Sequence, residues 1–365
     1  MWSYNTTIVL IGSALLGAAS GMLGCFAVLR RRGLLGDVVA HSALPGIAIA
    51  FWLTQSKSIP LLLSGALATG LIGIWLLAAI KKQTKTKEDA AMALVLSVLF
   101  GAGICISRIV QSTITDGSQA GLDNYIFGQA AGIIRSDISL LFIVLALSLI
   151  SIFVFFKVFK LIVFDPNYAV SLGWKTSVLD FSLMSLLVLT VIVGLPMVGI
   201  IMMAAMILIP AVSARFWTHN LSRMLVISSL IGIISAVSGV IISSEIDKLP
   251  TGPTIILCAG AFFIFSALFA PSKGVLFFAF RQLQFKINWG TRTLLIILKK
   301  SRNLGTDNAA AELTEHGIYF PRFIISQSIN NGYIMQSSSS RLNTTKKGLR
   351  YLEQFSLDQE ETPYG

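Results

Sequence analysis

The strongest constraint on this chain is a series of long apolar segments, each about as long as a membrane-spanning helix. Such a helix needs about 20 consecutive apolar residues, with a range of roughly 17–25. Charged residues make up only 12% of the 365 residues, whereas soluble domains carry roughly 25%. The sequence therefore predicts an all-α polytopic membrane protein and excludes a disordered chain or an ordinary cytosolic enzyme. Nine segments are predicted to span, at 7–29, 38–54, 60–80, 90–110, 138–160, 177–194, 196–212, 224–243 and 254–271.

The stretch 177–212 is too long for a single span, and Gly194, Leu195 and Pro196 interrupt it. Glycine and proline are the residues that most often mark turns. We therefore predict a tight turn at these three residues, between two spans. Totals of eight or ten spans are the alternatives to the predicted nine.

Basic residues occupy alternate connections between the apolar segments, and cytoplasmic loops of membrane proteins are enriched in Lys and Arg. This pattern predicts a membrane protein with its N-terminus outside and its C-terminal tail in the cytoplasm. The basic connections contain Arg30, Arg31, Arg32, Lys81, Lys82, Lys85, Lys87, Lys157, Lys160, Lys175, Arg215, Arg223 and Lys273. The opposite loops contain Asp116, Asp123, Asp137, Glu245 and Asp247.

The tail is richer in charge of both signs. Residues 1–272 hold 16 Lys+Arg and 10 Asp+Glu, while the much shorter 273–365 holds 12 and 7. We predict a transmembrane domain over 1–272, a linker over 273–290, a small α+β module over 291–356 and a disordered end over 357–365. Helices predicted at 291–300, 308–316, 321–330 and 347–355, with two strands before the last helix, follow the order of a winged helix.

Polar residues inside membrane spans are costly and are candidates for function. Asp37 and His41 are four residues apart, so a helix places them on one face. A carboxylate and an imidazole suit a divalent ion such as Mn²⁺, Zn²⁺ or Fe²⁺, and Pro45 leaves the carbonyl group of His41 without its helical N–H partner. The alternative is a helix N-terminal acid with a local histidine partner. Two residues do not complete a coordination sphere, so further ligands are required.

Two other segments have both a functional and a structural interpretation. The apolar span that contains Pro210 leads into a short amphipathic stretch with Phe216 and Trp217, which predicts either docking into a partner's groove or an interfacial helix. The acids Glu245 and Asp247 either attract cations at an outer mouth or belong to a solvated turn. The sequence contains no GxxxxGK[ST] phosphate loop, no HExxH and no CxxC, so no enzyme activity is predicted.

Several of these segments together resemble the permease subunit of metal-ion ABC importers, the manganese/zinc/iron family. The resemblance covers about residues 1–272. The matching stretches are 36–50 (GDVVAHSALPGIAIA), 88–103 (EDAAMALVLSVLFGAG), 123–130 (DNYIFGQA), 198–218 and 247–253 (DKLPTGP).

This resemblance implies a multi-pass protein of the bacterial inner membrane that works in a complex. Two permease chains, identical or paralogous, form the pathway, a cytoplasmic ATPase drives it, and an extracytoplasmic metal-binding protein delivers the ion. Asp37 and His41 match the family's intramembrane metal-binding pair. The stretch 211–221 corresponds to the segment that couples to the ATPase, with Ala211, Ser213, Ala214, Arg215 and Thr218 as the predicted contact residues.

The predicted function is therefore that of a transporter subunit carrying Mn, Zn or Fe, with no permanently bound cofactor. The tail resembles the winged helix of iron- and manganese-dependent repressors, and its net charge of +5 (12 minus 7) suits contact with DNA or with anionic membrane lipid. One alternative function is thus a membrane-tethered, metal-responsive DNA-binding regulator. Another is a secondary transporter that needs no ATPase.

Overall fold

A computed structural model describes residues 4–56, 58–113, 135–246, 249–271, 273–301, 304–337 and 341–361 of the chain. The chain divides into two compact units, Met1–Gly274 and Val275–Gly365.

The described part of the first unit is helical. Long apolar stretches account for most of its helices, which continue through interior glycines and through Pro45 and Pro196. Short polar connections separate the helices. In chain order they are α1 (Tyr4–Leu29), α2 (Leu35–Thr54), α3 (Ile59–Gln83), α4 (Glu88–Thr113), α5 (Arg135–Val154), α6 (Phe156–Phe164), α7 (Pro166–Ser171), α8 (Thr176–Val198), α9 (Ile200–Trp217), α10 (Leu221–Glu245) and α11 (Thr251–Phe269).

Seven of the described helices are long and apolar enough to cross a membrane, namely α1, α2, α3, α4, α8, α10 and α11. Helices α5 and α6 form a pair bent by 67°, and counting them as one broken span raises the number to eight. The remaining predicted span, 196–212, falls on α9, whose apolar part Met202–Trp217 is shorter than the other candidates. A polytopic helical membrane protein is therefore confirmed, with seven or eight candidate spans among the described residues, and the total of nine stays a prediction.

The predicted turn at Gly194, Leu195 and Pro196 is wrong, because α8 continues to Val198. A proline in the last turn of a helix removes a single hydrogen bond, which a helix end tolerates. The break lies instead at Gly199, which has φ +93°. Glycine adopts such a positive φ at little cost, so Gly199 separates α8 from α9.

Glycine residues allow α1 to pack closely against α10. A methyl group on Gly17 would overlap the carbonyl oxygen of Gly232, and one on Gly232 would overlap that of Gly17. One turn further along, the Ser228 hydroxyl donates a hydrogen bond of 2.7 Å to the Gly21 carbonyl oxygen. Small residues that bring backbones together, with hydroxyls bonded across the interface, are typical of helix packing in membranes.

The largest apolar core of the first unit is formed mainly by α2, α3, α4 and α8, with smaller contributions from α1 and α9. A second core packs the ends of α1, α9 and α10 against α6 and α8. The first core includes the fully buried residues Val39, Ala43, Val188, Leu195 and Met203. The second core includes the fully buried Phe26 and Met224.

The second unit contains α12 (Val275–Lys300), β1 (Leu304–Gly305), α13 (Thr306–Glu315), α14 (Pro321–Asn330), β2 (Ile334–Gln336), β3 (Arg341–Thr344) and α15 (Lys346–Glu361). Its three strands are antiparallel in the order β1-β3-β2, with Leu304 opposite Leu342 and Ile334 opposite Thr344. Its core contains Leu294, Leu298, Leu313, Ile324 and Leu342. The helix predicted over 321–330 is confirmed with the same bounds.

Two predicted boundaries in the tail differ from the structure. The predicted linker 273–290 is helical from Val275 onward, because no proline or glycine interrupts the sequence between Gly274 and Gly290. The predicted disordered end begins at 357, yet α15 extends to Glu361. No proline or glycine follows Gly348 before Pro363. Residues 362–365 lie outside the described residues.

The glycine contact between α1 and α10 generates a stability prediction. We expect Gly17→Ala to lower the free energy of unfolding by about 1–3 kcal/mol, because the added methyl group overlaps backbone that cannot move aside. The measurement is thermal unfolding of the purified chain in detergent. Gly101→Ala is the matched control, since a Cβ there meets no atom within 4 Å. Equal unfolding temperatures for the two variants would contradict the prediction.

Candidate functional site

Helix α2 is largely buried in the first unit, because small residues allow neighbouring helices to pack closely against it. Gly46 faces Gly65 of α3 so closely that a methyl group on either would overlap the other's carbonyl oxygen. A Cβ on Gly36 would lie 3.2 Å from Cα of Ala204 in α9. The position of α2 is therefore fixed by direct backbone packing on two sides.

A third neighbour, α4, packs where proline interrupts the hydrogen bonding of α2. A Cβ on Gly103 of α4 would lie 2.9 Å from both the nitrogen and Cδ of Pro45. Helix α2 continues through Pro45 without ending. Since Pro45 has no N–H, the carbonyl oxygen of His41 keeps unused capacity to accept or to ligate.

Asp37 and His41 lie on the first two turns of α2, and both side chains are half-buried. A carboxylate in the first helical turn is favourable because the peptide dipoles leave partial positive charge at a helix N-terminus. Residues four apart on a helix share a face. The structure thus brings together the two predicted ligands on one partly buried face of α2.

The imidazole of His41 has one aromatic contact and one unsatisfied atom. The edge-to-face contact joins it to Phe100 of α4, with ring centroids 4.7 Å apart. Its Nδ1 is buried and has no hydrogen-bond partner within the described residues. Buried polar atoms without a partner are uncommon in proteins and cost free energy. Phe100 therefore restrains the ring while one nitrogen remains available to a ligand.

The described residues supply only part of a coordination sphere. Across those parts of the chain, no group of three or more His, Cys, Asp or Glu side chains is arranged to hold a metal ion. The carboxylate of Asp37, the imidazole of His41 and the His41 carbonyl oxygen are donors that first-row divalent ions accept. The geometry is that of a partial site, which a further chain or residues outside the described ranges would have to complete.

An ion-pair network, which sequence analysis did not predict, holds the connection that leads into α2. The Arg32 side chain is only 7% exposed. It donates hydrogen bonds of 3.2 and 3.0 Å to the two carboxylate oxygens of Asp180 and another to Glu88. Arg30 also pairs with Asp180, and Lys81 lies 3.1 Å from Glu88.

This network joins three separated parts of the chain. It links the α1–α2 connection to the first turn of α4 and to α8. Burial lowers the pKa of Arg32 and Glu88 opposes that effect, but arginine stays charged at neutral pH. The sequence showed the basic cluster and the acids separately, and the only signal for their pairing was opposite charge at the same predicted membrane face.

The residues that the resemblance assigns to ATPase coupling differ in exposure. Ala211, Ser213 and Ala214 are fully buried within the first unit, where the Ser213 hydroxyl donates to the Ile209 carbonyl oxygen at 2.7 Å. Arg215 and Thr218 are half-buried. Helix α9 runs through this stretch to Trp217, and the exposed positions are His219 and Asn220 in the connection to α10.

The acids predicted at an outer mouth are only partly described. Glu245 is the exposed last residue of α10, while Asp247 lies outside the described residues. The Ser243 hydroxyl donates a 2.7 Å hydrogen bond to the Leu249 carbonyl oxygen and so links the two ends of this connection. The matching stretch 123–130 falls within 114–134, which also lies outside the described residues.

Comparison with known proteins matches this chain to one transport family and to bacterial membrane proteins of metal transport systems. Residues 3–270 match the ABC 3 transport family. The manganese transport system membrane protein MntC of Bacillus subtilis (strain 168) is 43% identical over 294 residues, which are 80% of this chain and 67% of the relative. The zinc transport system membrane protein TroC of Treponema pallidum (strain Nichols) is 38% identical over 279 residues, or 76% of this chain and 93% of the relative.

A third relative and a solved structure extend this picture. The chelated iron transport system membrane protein YfeD of Yersinia pestis is 31% identical over 267 residues, covering 73% of this chain and 86% of the relative. The structure of PsaBC from Streptococcus pneumoniae in complex with Fab has a chain with a TM-score of 0.65 and 28% identity. That match covers 74% of this chain and 94% of the other. Because the family match alone spans more than half of its residues, this chain belongs to the ABC 3 transport family.

Proposed function

We propose that this chain is the membrane permease subunit of an ABC importer that carries a divalent metal ion into the cytoplasm. Asp37 and His41 ligate the ion in transit, and a separate ATPase chain supplies the energy. The observation that carries the proposal is the buried Nδ1 of His41, which has no hydrogen-bond partner among the described residues and lies one helical turn from Asp37 within a candidate membrane span. No enzymatic step is assigned to this chain.

The donor types support Mn, Zn or Fe as the cargo. One carboxylate, one imidazole and one carbonyl oxygen form a set of intermediate hardness, and such donors bind all three ions. Relatives of the chain are named for manganese, zinc and chelated iron. Family membership and these donors support a metal-ion cargo, and the choice among the three ions depends on the completed coordination sphere.

A second permease chain, identical or paralogous, completes the site in this proposal. One chain offers two ligating side chains at α2, whereas ions of this class take four to six ligands. Two permeases facing each other across a pathway would double the donors contributed by Asp37 and His41. An extracytoplasmic binding protein delivers the ion, and Glu245 with Asp247 adds negative charge at the mouth that receives it.

The ATPase contact in this proposal centres on the connection between α9 and α10. Arg215 and Thr218 have accessible surface, and His219 and Asn220 beside them are exposed. The buried Ala211, Ser213 and Ala214 act indirectly by packing the end of α9 rigidly against the rest of the unit. Movement of the ATPase at this connection is then transmitted along α9 to Ala204, which contacts Gly36 at the start of α2.

The basic connections support a cytoplasmic position for this contact. Helix α9 has 18 residues, and at 1.5 Å per residue it is about 27 Å long, close to the roughly 30 Å of the bilayer hydrocarbon. In the proposed topology α9 crosses back to the side of Arg215 and Arg223. The N-terminus is then outside and the second unit is cytoplasmic.

The second unit is proposed to be a winged-helix-like module, on the basis of its helix order and its three-stranded sheet. A DNA-binding function is not proposed. Helix α14 occupies the position of a recognition helix, and its one basic residue, Arg322, lies 3.7 Å from the Asp307 carboxylate. DNA-binding surfaces normally carry clustered Lys and Arg side chains, and α14 offers a single one.

Replacing either proposed ligand tests the site. We expect Asp37→Asn and His41→Gln each to reduce radioactive Mn²⁺ or Zn²⁺ uptake by at least about tenfold. This follows because even second-shell partners of metal ligands are worth roughly 10–100-fold in affinity. The measurement is initial uptake rate in cells that express the complete transporter.

The matched control for His41→Gln is His316→Gln. His316 is exposed in the second unit, and its Nδ1 lies 2.9 Å from the Glu312 carbonyl oxygen. We expect normal uptake in this variant and normal recovery of the ATPase with all three purified variants. Normal uptake by assembled His41→Gln transporter would remove His41 from the site.

A charge reversal tests the proposed ATPase contact separately from the metal site. We expect Arg215→Glu to abolish co-purification of the ATPase and metal-stimulated ATP hydrolysis, because it places an acid at the contact, while metal binding to the permease persists. Arg108→Glu is the control. Arg108 is exposed near the C-terminal end of candidate span α4, on the opposite side of the membrane from Arg215 in the proposed topology. Retention of the ATPase by Arg215→Glu would move the contact elsewhere.

A further inference from the structure

The first half of α12 has an unusual surface for a helix outside a membrane span. All twelve residues of 275–286 are exposed within the described chain. Large apolar residues lie on every side of it rather than on one face. They are Val275, Leu276, Phe277, Phe278, Phe280, Leu283 and Phe285. A helix that is apolar all round is normally buried in protein or lipid.

The second unit adds a matching aromatic surface beside this helix. The turn before α14 and its first residues expose Tyr319, Phe320 and Phe323 at 75%, 73% and 57%. Together with Phe285 and Trp289 they line a largely apolar groove of about 540 Å³. The rings of Phe285 and Trp289 stack with centroids 6.4 Å apart, so the two side chains form one continuous aromatic surface.

Phe320 is held in an unfavourable backbone conformation although its side chain is exposed. Its φ is +68°, in the left-handed region. Residues other than glycine pay roughly 1–2 kcal/mol to adopt it. The Phe320 ring is not buried within the described chain, so packing does not offset this cost. Backbone strain of this kind is typical of functional positions.

Basic residues are interspersed with these aromatic rings. Helix α12 contains five Lys and Arg and no Asp or Glu, and no acidic residue occurs between Asp247 and Asp307. The Arg281 guanidinium lies 5.2 Å from the ring centroid of Phe277, and the Lys286 ammonium lies 5.8 Å from that of Tyr319. Aromatic and basic side chains in this combination are typical of helices that lie in the interface of an anionic bilayer.

Chain length restricts the position of this helix. Candidate span α11 ends at Phe269 and α12 begins at Val275, and a chain of six residues reaches at most roughly 20 Å. The first turn of α12 therefore cannot be far from the membrane surface. It is not itself a span, since its apolar part is shorter than the roughly 17–25 residues required and contains Arg281 and Lys286.

We propose that the first half of α12 and the Tyr319–Phe323 turn form a membrane-docking surface for anionic phospholipid. The aromatic rings insert among the acyl chains near the headgroups, and Arg281 and Lys286 pair with lipid phosphates. The second unit is thereby held against the bilayer that contains the permease. This interaction is independent of the identity of the transported metal.

Photo-crosslinking of the full-length chain tests the lipid contact. The assembled transporter is placed in nanodiscs of phosphatidylcholine alone or with phosphatidylglycerol, with p-benzoylphenylalanine in place of Phe285 or Phe320. After irradiation, mass spectrometry of the intact chain identifies each adduct. We expect phospholipid adducts at both positions, with higher yield in discs that contain phosphatidylglycerol. The same probe in place of Met335, which is 69% exposed on β2, should give none.

Neutralising the basic residues tests the electrostatic part. We expect Arg281→Gln combined with Lys286→Gln to reduce the lipid adduct at Phe285 several-fold in the anionic discs, because each basic residue near such a surface strengthens binding about fivefold. Metal uptake by the same variant shows that the transporter is assembled. Adducts to a protein partner, no lipid adduct at either position, or equal yields in the two lipid compositions would each overturn the proposal.

Discussion

Helix α2 touches its neighbours through glycine on two sides, where Gly46 faces Gly65 and Gly36 faces Ala204. Inside a bilayer the lipid is as apolar as the helices, so association depends on close packing rather than on the hydrophobic effect. Without these contacts α2 would have no fixed depth or rotation, and Asp37 and His41 would have no defined position. The same contacts connect α2 to α9, whose far end is the proposed ATPase contact, so one packing arrangement serves both the site and its coupling.

Charge in the first unit is rare and has separate uses. Arg30, Arg32, Asp180 and Glu88 pair with one another at one end of the bundle. Breaking a buried pair by removing one partner typically costs about 3–5 kcal/mol, so the network fixes the connection before α2. Asp37 and His41, by contrast, are left without such partners among the described residues. The positive charge of α12 has a third use in our account, at the membrane surface.

The sequence predicted the helical membrane fold and the Asp37–His41 pair, because apolar length and four-residue spacing are local properties. It placed the break before α9 at Gly194–Pro196 instead of Gly199, since the choice depends on which backbone adopts a positive φ. It also took 273–290 for a linker, where a mixed apolar and basic sequence forms a helix. Arg32 pairs with Glu88 56 positions away and with Asp180 148 positions away, and Phe100 is likewise distant in sequence from His41. No local pattern reports such pairs.

The most direct test is whether His41 nitrogen binds the transported ion. Electron–nuclear double resonance of Mn²⁺ bound to the purified permease pair detects coupling to a ligating imidazole nitrogen. We expect a ¹⁴N signal in the native chain and in His316→Gln, and loss of that signal in His41→Gln. A ¹⁴N signal of unchanged strength in His41→Gln would contradict the assignment of the site to α2.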